Sequence, residues 1–120
     1  MKRSGMGVDP KHAMDVLASD LFEALCQLHL IMNEETRAAH ATFDKGKLTL
    51  KTESATGLSV VTVAIENRTG GKGEFVFDLP KLLVACKVPD KTETITLGWD
   101  GKVRMSLVCG ELSFWLALMD

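Results

Sequence analysis

The chain writes one pattern twice, and that repeat limits its possible folds more than any other feature. Residues Leu58 to Glu66 read LSVVTVAIE and residues Leu112 to Asp120 read LSFWLALMD, which align without a gap. Upstream of each, FDKGKLTL (Phe43 to Leu50) matches GWDGKVRMSL (Gly98 to Leu107) around a turn containing Asp and Gly. Further upstream, VLASDLFEAL (Val16 to Leu25) matches VFDLPKLLVA (Val76 to Ala85), each a short strand, a capping residue and a leucine-rich helix. The order is the same in both halves, so the expectation is an α+β domain of two pseudo-repeated βαβββ units, with eight strands and two helices. Two copies are too few for a solenoid, and a pseudo-symmetric single domain is the simpler solution.

The units are placed at 13–66 and 74–120, within one domain spanning 13–120. Residues 1–12 carry two glycines and a proline without hydrophobic periodicity and read as a flexible tail. In the first unit Ser19 is the expected N-cap of a helix running to Met32. Asp20 and Glu23 suit its positive end, and Leu21, Phe22, Leu25, Leu28 and Met32 recur at helical spacing. Strands follow from Arg37 to Asp44 and from Lys47 to Thr52, with Gly46 supplying positive φ at the turn. Leu58 to Glu66 is apolar on both faces and reads as an interior or interface strand. The segment Asn67 to Gly73 is the least structured internal stretch. In the second unit Asp78 caps a helix from Leu79 to about Lys87, with Pro80 in its first turn. Strands Thr92–Trp99, Lys102–Cys109 and Leu112–Met119 complete it. One mostly antiparallel sheet with both helices on one side is the natural packing.

With 120 residues, 46% hydrophobic and 25% charged, the chain has the composition of a globular domain. No apolar run approaches the roughly 18 residues that cross a bilayer, and no apolar segment follows Lys2 and Arg3 as in a signal peptide. Three cysteines, Cys26, Cys86 and Cys109, each inside an apolar run, read as free buried thiols, which places the chain in the cytoplasm. The net charge of −2 divides into +2 on residues 1–12 and therefore −4 on the rest, so there is no global basic footprint for nucleic acid.

No constellation of catalytic or cofactor-binding residues stands out. Gly70-Gly71-Lys72-Gly73 lacks the spacing and the hydroxyl residue of a phosphate loop. Cys26, His29 and His40 lack a fourth metal ligand. Trp99 and Trp115 read as core or interface anchors. The expectation is a protein that is not an enzyme and carries neither cofactor nor metal.

Within this frame, FEALCQLHLIMNEETRAAHATFDKGKLTL resembles the start of the C-terminal domain of the bacterial sliding clamp, the β subunit of DNA polymerase III. The matching residues are Asn33, Glu34, Arg37, Gly46, Lys47 and Leu48. EFVFDLPKLLVACK resembles that family's second strand and helix, and SFWLALMD stands where its terminal Met- and Pro-containing strand lies. The resemblance covers about residues 13–120. It implies a clamp fold and a DNA processivity or tethering factor that acts as an oligomeric ring, built in that family from six such domains with helices lining the hole. It implies double-stranded DNA, further copies of the chain joined through edge strands, and polymerase or other clamp-binding peptides as partners. The residues placed against DNA are Arg37, Lys81 and Lys87. Those placed at a peptide pocket are Leu116, Ala117, Leu118 and Met119.

The chain departs from the family pattern in having one domain, in lacking Pro and a basic residue near its end, and in an acidic first helix region. There Asp20, Glu23, Glu34 and Glu35 stand without Lys or Arg. DNA binding without sequence preference relies on cations that displace counterions from phosphates. The acidic helix therefore keeps open a second reading, a clamp-derived peptide-binding adaptor or assembly module that does not encircle DNA.

Overall fold

Each half of the chain sends its first strand into the sheet of the other half. In the computed structural model, which describes residues 12–32, 35, 37–55, 57–69, 71–90, 92–101 and 103–118, the first half contains β1 (His12–Leu17), α1 (Ala18–His29), β2 (Ala38–Asp44), β3 (Lys47–Ser54) and β4 (Gly57–Ala64). A two-residue strand, β5 (Glu66–Asn67), leads to the second half: β6 (Lys72–Asp78), α2 (Leu79–Cys86), β7 (Thr94–Trp99), β8 (Arg104–Cys109) and β9 (Leu112–Ala117). These strands form two antiparallel sheets, ordered β5-β1-β7-β8-β9 and β4-β3-β2-β6. β1 thus pairs with β7, and β6 with β2. The α+β class and the repeated βαβββ order are as expected. Two sheets replace the single sheet expected, because this exchange divides the strands into two sets. Helix α1 packs against strands of both.

A ninth strand arises where one was expected from Leu58 to Glu66. The ladder stops at Ile65, whose N–H donates to the Gly46 carbonyl at 3.0 Å. Beyond it Glu66 and Asn67 pair with Asp15 and Met14 in the other sheet. β4 is not an interior strand: among the described residues it ends its sheet, beside β3. It turns Val61 and Val63 toward the core and leaves Leu58 and Val60 56% and 52% exposed.

Burial corrects the register of the repeat. β1 buries Met14 and Val16 and β6 buries Phe75 and Phe77, while α1 buries Leu21, Ala24 and Leu25 where α2 buries Leu82, Ala85 and Cys86. Val16 is therefore equivalent to Phe77, one residue beyond the gapless match. In the hairpins, Leu50 faces Val61 and Leu107 faces Phe114, making those two residues equivalent. Matching Leu58 to Leu112 is also one residue out, since Leu58 faces outward and Leu112 stands opposite buried Cys109. A one-residue slip along a strand exchanges its faces. The middle match holds, with Phe43 and Trp99 at equivalent places and in edge contact at 5.9 Å.

Local chemistry explains the helix ends. Asp78 caps α2 as expected, its carboxylate accepting from the Lys81 N–H at 3.1 Å, with Pro80 in the first turn. Ser19 does not cap α1. The chain leaves β1 directly into the helix, with Leu17 at the cap, and the Ala18 N–H is satisfied by the Glu93 carbonyl at 2.9 Å. α1 also ends at His29 rather than Met32. In the β2–β3 turn the positive φ falls on Lys45, at 48°, not on Gly46.

Residues 67–69 of the segment expected to be least structured are pinned. The Arg68 Nε lies 2.7 Å from Asp15 and the Arg68 N–H donates to the Ala13 carbonyl. The Ala13 N–H donates to the Thr69 hydroxyl, and the Asn67 side chain donates to the Gly71 carbonyl. The expected tail lies outside the described residues except for His12, which opens β1.

Candidate interface grooves

The last strand of each sheet on the side away from the exchange, β4 in one and β9 in the other, is hydrogen-bonded along one side only among the described residues. A groove runs beside each, between the strand and a helix.

The groove beside β9 has a volume of about 360 Å³ and is lined by Arg37, Lys81, Val84, Val88, Phe114 and Leu116 among others. Its cationic rim is built by backbone geometry. Arg37 sits at φ 54° ahead of β2 and its carbonyl accepts the Leu79 N–H at 2.9 Å, which ties the start of β2 to the start of α2. The Arg37 guanidinium lies 4.0 Å from Asp78, and Lys81 stands in the first turn of α2. The groove wall is apolar: Val84 and Val88 are 61% and 53% exposed, and Phe114 and Leu116 come from the inward-facing side of β9.

Two of the three residues expected to face DNA, Arg37 and Lys81, thus meet at one groove. Lys87 is exposed at the C-terminal cap of α2, six residues and roughly 9 Å along the helix axis from Lys81. The four residues expected at a peptide pocket do not share one wall. Leu116 lines the groove, Ala117 points to the opposite face and is exposed, and Leu118 packs against the core with its N–H on the Val103 carbonyl. Met119 lies outside the described residues. Strand alternation separates these neighbours in sequence. Val84 and Val88 escaped the sequence reading because the run LPKLLVACKV is apolar nearly all round, and only packing shows which residues stay outside.

The groove beside β4 has a volume of about 300 Å³ and is lined by Asp20, Glu23, Gln27, Val61 and Val63 among others. In the corrected register it is the equivalent of the first groove: Asp20 stands where Lys81 stands, Glu23 where Val84 does, and Val61 and Val63 where Phe114 and Leu116 do. The chain therefore presents one architecture twice, acidic at one sheet edge and cationic at the other.

The remaining reactive groups are quiet. Burial pushes the Cys86 thiol up to about 12, with Cys26 adding to it, and the Glu93 carboxylate, accepting from the Cys109 thiol at 2.6 Å, pushes that group up to about 11. Both stay protonated near neutrality and are poor nucleophiles. Trp99 packs among His12, Phe43 and Phe75 where the two sheets meet. Trp115 stands across from Ser106, with Arg104 5.9 Å from its ring centre. Among the described residues no group of His, Cys, Asp and Glu is arranged to hold a metal ion, and no helix is long and apolar enough to cross a membrane.

No family model and no curated protein matches the chain. Solved structures do. The DNA polymerase III subunit beta of Pseudomonas aeruginosa superimposes with a TM-score of 0.82 over 99% of this chain and 32% of its own, at 17% identity. That of Thermotoga maritima gives 0.84 over 93% of this chain and 31% of its own, at 14% identity. The sliding clamp of Bartonella birtlesii, solved bound to griselimycin, gives 0.82 over 96% of this chain and 31% of its own, at 19% identity. The chain has the fold of a bacterial sliding-clamp domain and spans about a third of the length of the clamp subunits it matches.

Proposed function

We propose that this chain is a sliding-clamp-like tethering module, acting in the cytoplasm as part of an oligomeric ring that holds duplex DNA by enclosing it. The observation that carries this reading is the state of two of the sheet-end strands, β4 and β9. Among the described residues β4 and β9 are each hydrogen-bonded along one side only, and strands in that state pair with another chain unless guarded. On this reading β4 of one copy pairs with β9 of the next, and such head-to-tail contacts close into rings when the rotation allows. The clamp fold supports the same conclusion, with a six-domain ring as the expected closed form.

Enclosure needs no catalytic residue, and the chain is read as a non-enzyme. It also needs little charge, which suits the helix layer here. α1 offers Asp20 and Glu23, while the exposed cations near α2 are Arg37, Lys81 and Lys87. Direct contact with phosphates should then be weak, indifferent to sequence and steeply reduced by salt.

A second reading rests on the apolar wall of the β9 groove. Val84, Val88, Phe114 and Leu116 suit a short apolar peptide, such as the segment by which a polymerase would engage a clamp. On that reading the chain is an adaptor, and a peptide in the groove competes with a neighbouring copy for β9.

The readings separate on closed DNA. The protein is assembled in the presence of circular duplex, moved to salt high enough to screen phosphate contacts, and passed over a sizing column before and after the circle is cut once. Co-elution lost on cutting is the expected result. Loss before cutting means that nothing is enclosed, and the adaptor reading then takes its place.

A further inference from the structure

We infer that the seam between the two halves is also a joint between copies: two chains trade second halves, and each resulting lobe takes β1 to β5 from one chain and β6 to β9 from the other. The partner is a second copy of this chain, recognised by the interior surfaces that the halves already use. The inference stands apart from the ring reading, which joins copies at their sheet edges.

The strand exchange supplies a complete joint. β1 lies on β7 and β6 lies on β2. The Ala18 N–H donates to the Glu93 carbonyl, and the Leu79 N–H donates to the Arg37 carbonyl. The Thr96 hydroxyl donates to Asp15. Trp99 stacks on His12 and meets Phe43 edge-on. Each of these contacts runs from one half to the other, so each forms equally well between halves of different chains. Trading identical elements is for that reason a low-cost route to a dimer. What differs between the closed and traded forms is the connector. Glu66 to Thr69 bind β1, in their own half, and stay with it. Among the described residues that leaves Gly71, at φ 75°, whose carbonyl accepts from the Asn67 side chain. There the chain passes from β5 to β6 within one lobe. A chain that continues into the other lobe need not hold that turn. Among the described residues, a Cβ at Gly71 would meet the His12 ring alone, at 3.9 Å, so a side chain there strains the backbone without disturbing the packing.

Two magnitudes set the balance. A short connector holds its own halves together at an effective concentration on the order of millimolar, so closed lobes prevail in dilute wild type. A β-branched residue at 71 disfavours the left-handed turn roughly tenfold, and a traded pair relieves two such turns, about a hundredfold in all.

A disulfide across β1 and β7 reads the exchange. Leu17 and Thr94 stand opposite each other there, and both are exposed. In chains whose half-exposed Cys26 is replaced by Cys26→Ser, the pair Leu17→Cys and Thr94→Cys on one chain should close an internal bond, which sets the oxidation conditions. Full-length chains carrying one cysteine or the other are then mixed, unfolded, refolded at about a tenth of the millimolar scale and oxidised with glutathione disulfide. A 17–94 bond between chains, identified by peptide mass, requires β1 of one copy to lie on β7 of another. With Gly71→Val in both chains the covalent heterodimer should be a major product. With Gly71 retained it should be several-fold scarcer, and folded chains mixed without unfolding should give none. No heterodimer from the Gly71→Val chains, or the same yield from all three mixtures, overturns the inference and leaves the ring reading untouched. Should Gly71→Val not fold, the glycine chains are refolded up to millimolar concentration. The heterodimer must then rise steeply with concentration, and its absence overturns the inference.

Discussion

Gly73 shows how much a single position can carry. Its backbone lies against the Trp99 ring, and a Cβ added there would overlap that ring and stand 3.0 Å from the Phe43 ring. Trp99 cannot give way easily, since it stacks on His12 at 5.3 Å and meets Phe43 edge-on at 5.9 Å. Ala at a position compatible with its backbone gains about 0.4–1 kcal/mol by restricting the unfolded chain. Forcing extra volume into a packed site costs about 1–3 kcal/mol, so the clash wins. Gly73→Ala should lower the melting temperature by several degrees and alter the near-ultraviolet circular dichroism of the tryptophans. An unchanged melting curve and spectrum would mean that Trp99 does not rest on Gly73. In the sequence Gly73 is one of three glycines in a short polar run, and nothing local separates it from the others.

At the scale of elements, the stretch from Ile65 to Thr69 works as a clip rather than a loose connector. Asp15 holds it to β1 and β7 together, accepting from Arg68 Nε and from the Thr96 hydroxyl, each at 2.7 Å. The Arg68 partner is exposed, so that pair contributes at most about 1 kcal/mol. The Thr96 bond is part-buried, and losing its acceptor costs about 1–3 kcal/mol. Asp15→Ala should therefore destabilise the chain by about 1–3 kcal/mol, and it should speed tryptic cleavage after Arg68. Asp15→Asn, which keeps an acceptor for Thr96, should recover most of the stability but not the protection from trypsin. Equal cleavage rates in all three proteins would sink the clip. The composition of this segment, rich in Gly with Asn, Arg and Thr, describes a turn well enough; its anchors on Ala13 and Asp15 are more than fifty residues away and invisible locally.

For the whole molecule, strand exchange makes the halves interdependent. β1 is held by β7 over six residue pairs and β6 by β2 over seven, so each half completes the other's sheet. A half alone would keep a three-stranded meander and a helix with half of its apolar face uncovered, near the limit of independent stability. Fragments 1–70 and 71–120 should each show little ordered structure in the far-ultraviolet and regain the intact spectrum when mixed. A half that folds cooperatively by itself would show that the exchange is dispensable. The repeat read from the sequence predicts two similar units, but not that they trade strands.

What the sequence determined by itself is what short-range chemistry controls. The Asp78 cap, the proline after it, the turn at Asp44 to Gly46 and the alternation of β2 and β3 all depend on neighbours a few residues apart, and all are in place. The repeat and the resemblance to a clamp domain were legible for the same reason, since both are patterns of local element types. Tertiary structure decided the rest. It moved the helix cap from Ser19 to Leu17 because a carbonyl from Glu93 arrived to satisfy the helix end. It shifted two of the three repeat matches by one residue: LSVVTVAIE is apolar on both faces, so only the facing strand says which face is inside, and the strand–helix match was set by which residues of β1, β6 and the two helices packing buries. It brought Arg37 to Lys81 through the Leu79 N–H and parted Leu116 from Ala117 through alternation. The opposed charges of the two edges were in the sequence from the start, at Asp20 and Lys81. They became a pair only when packing set the register that makes those positions equivalent.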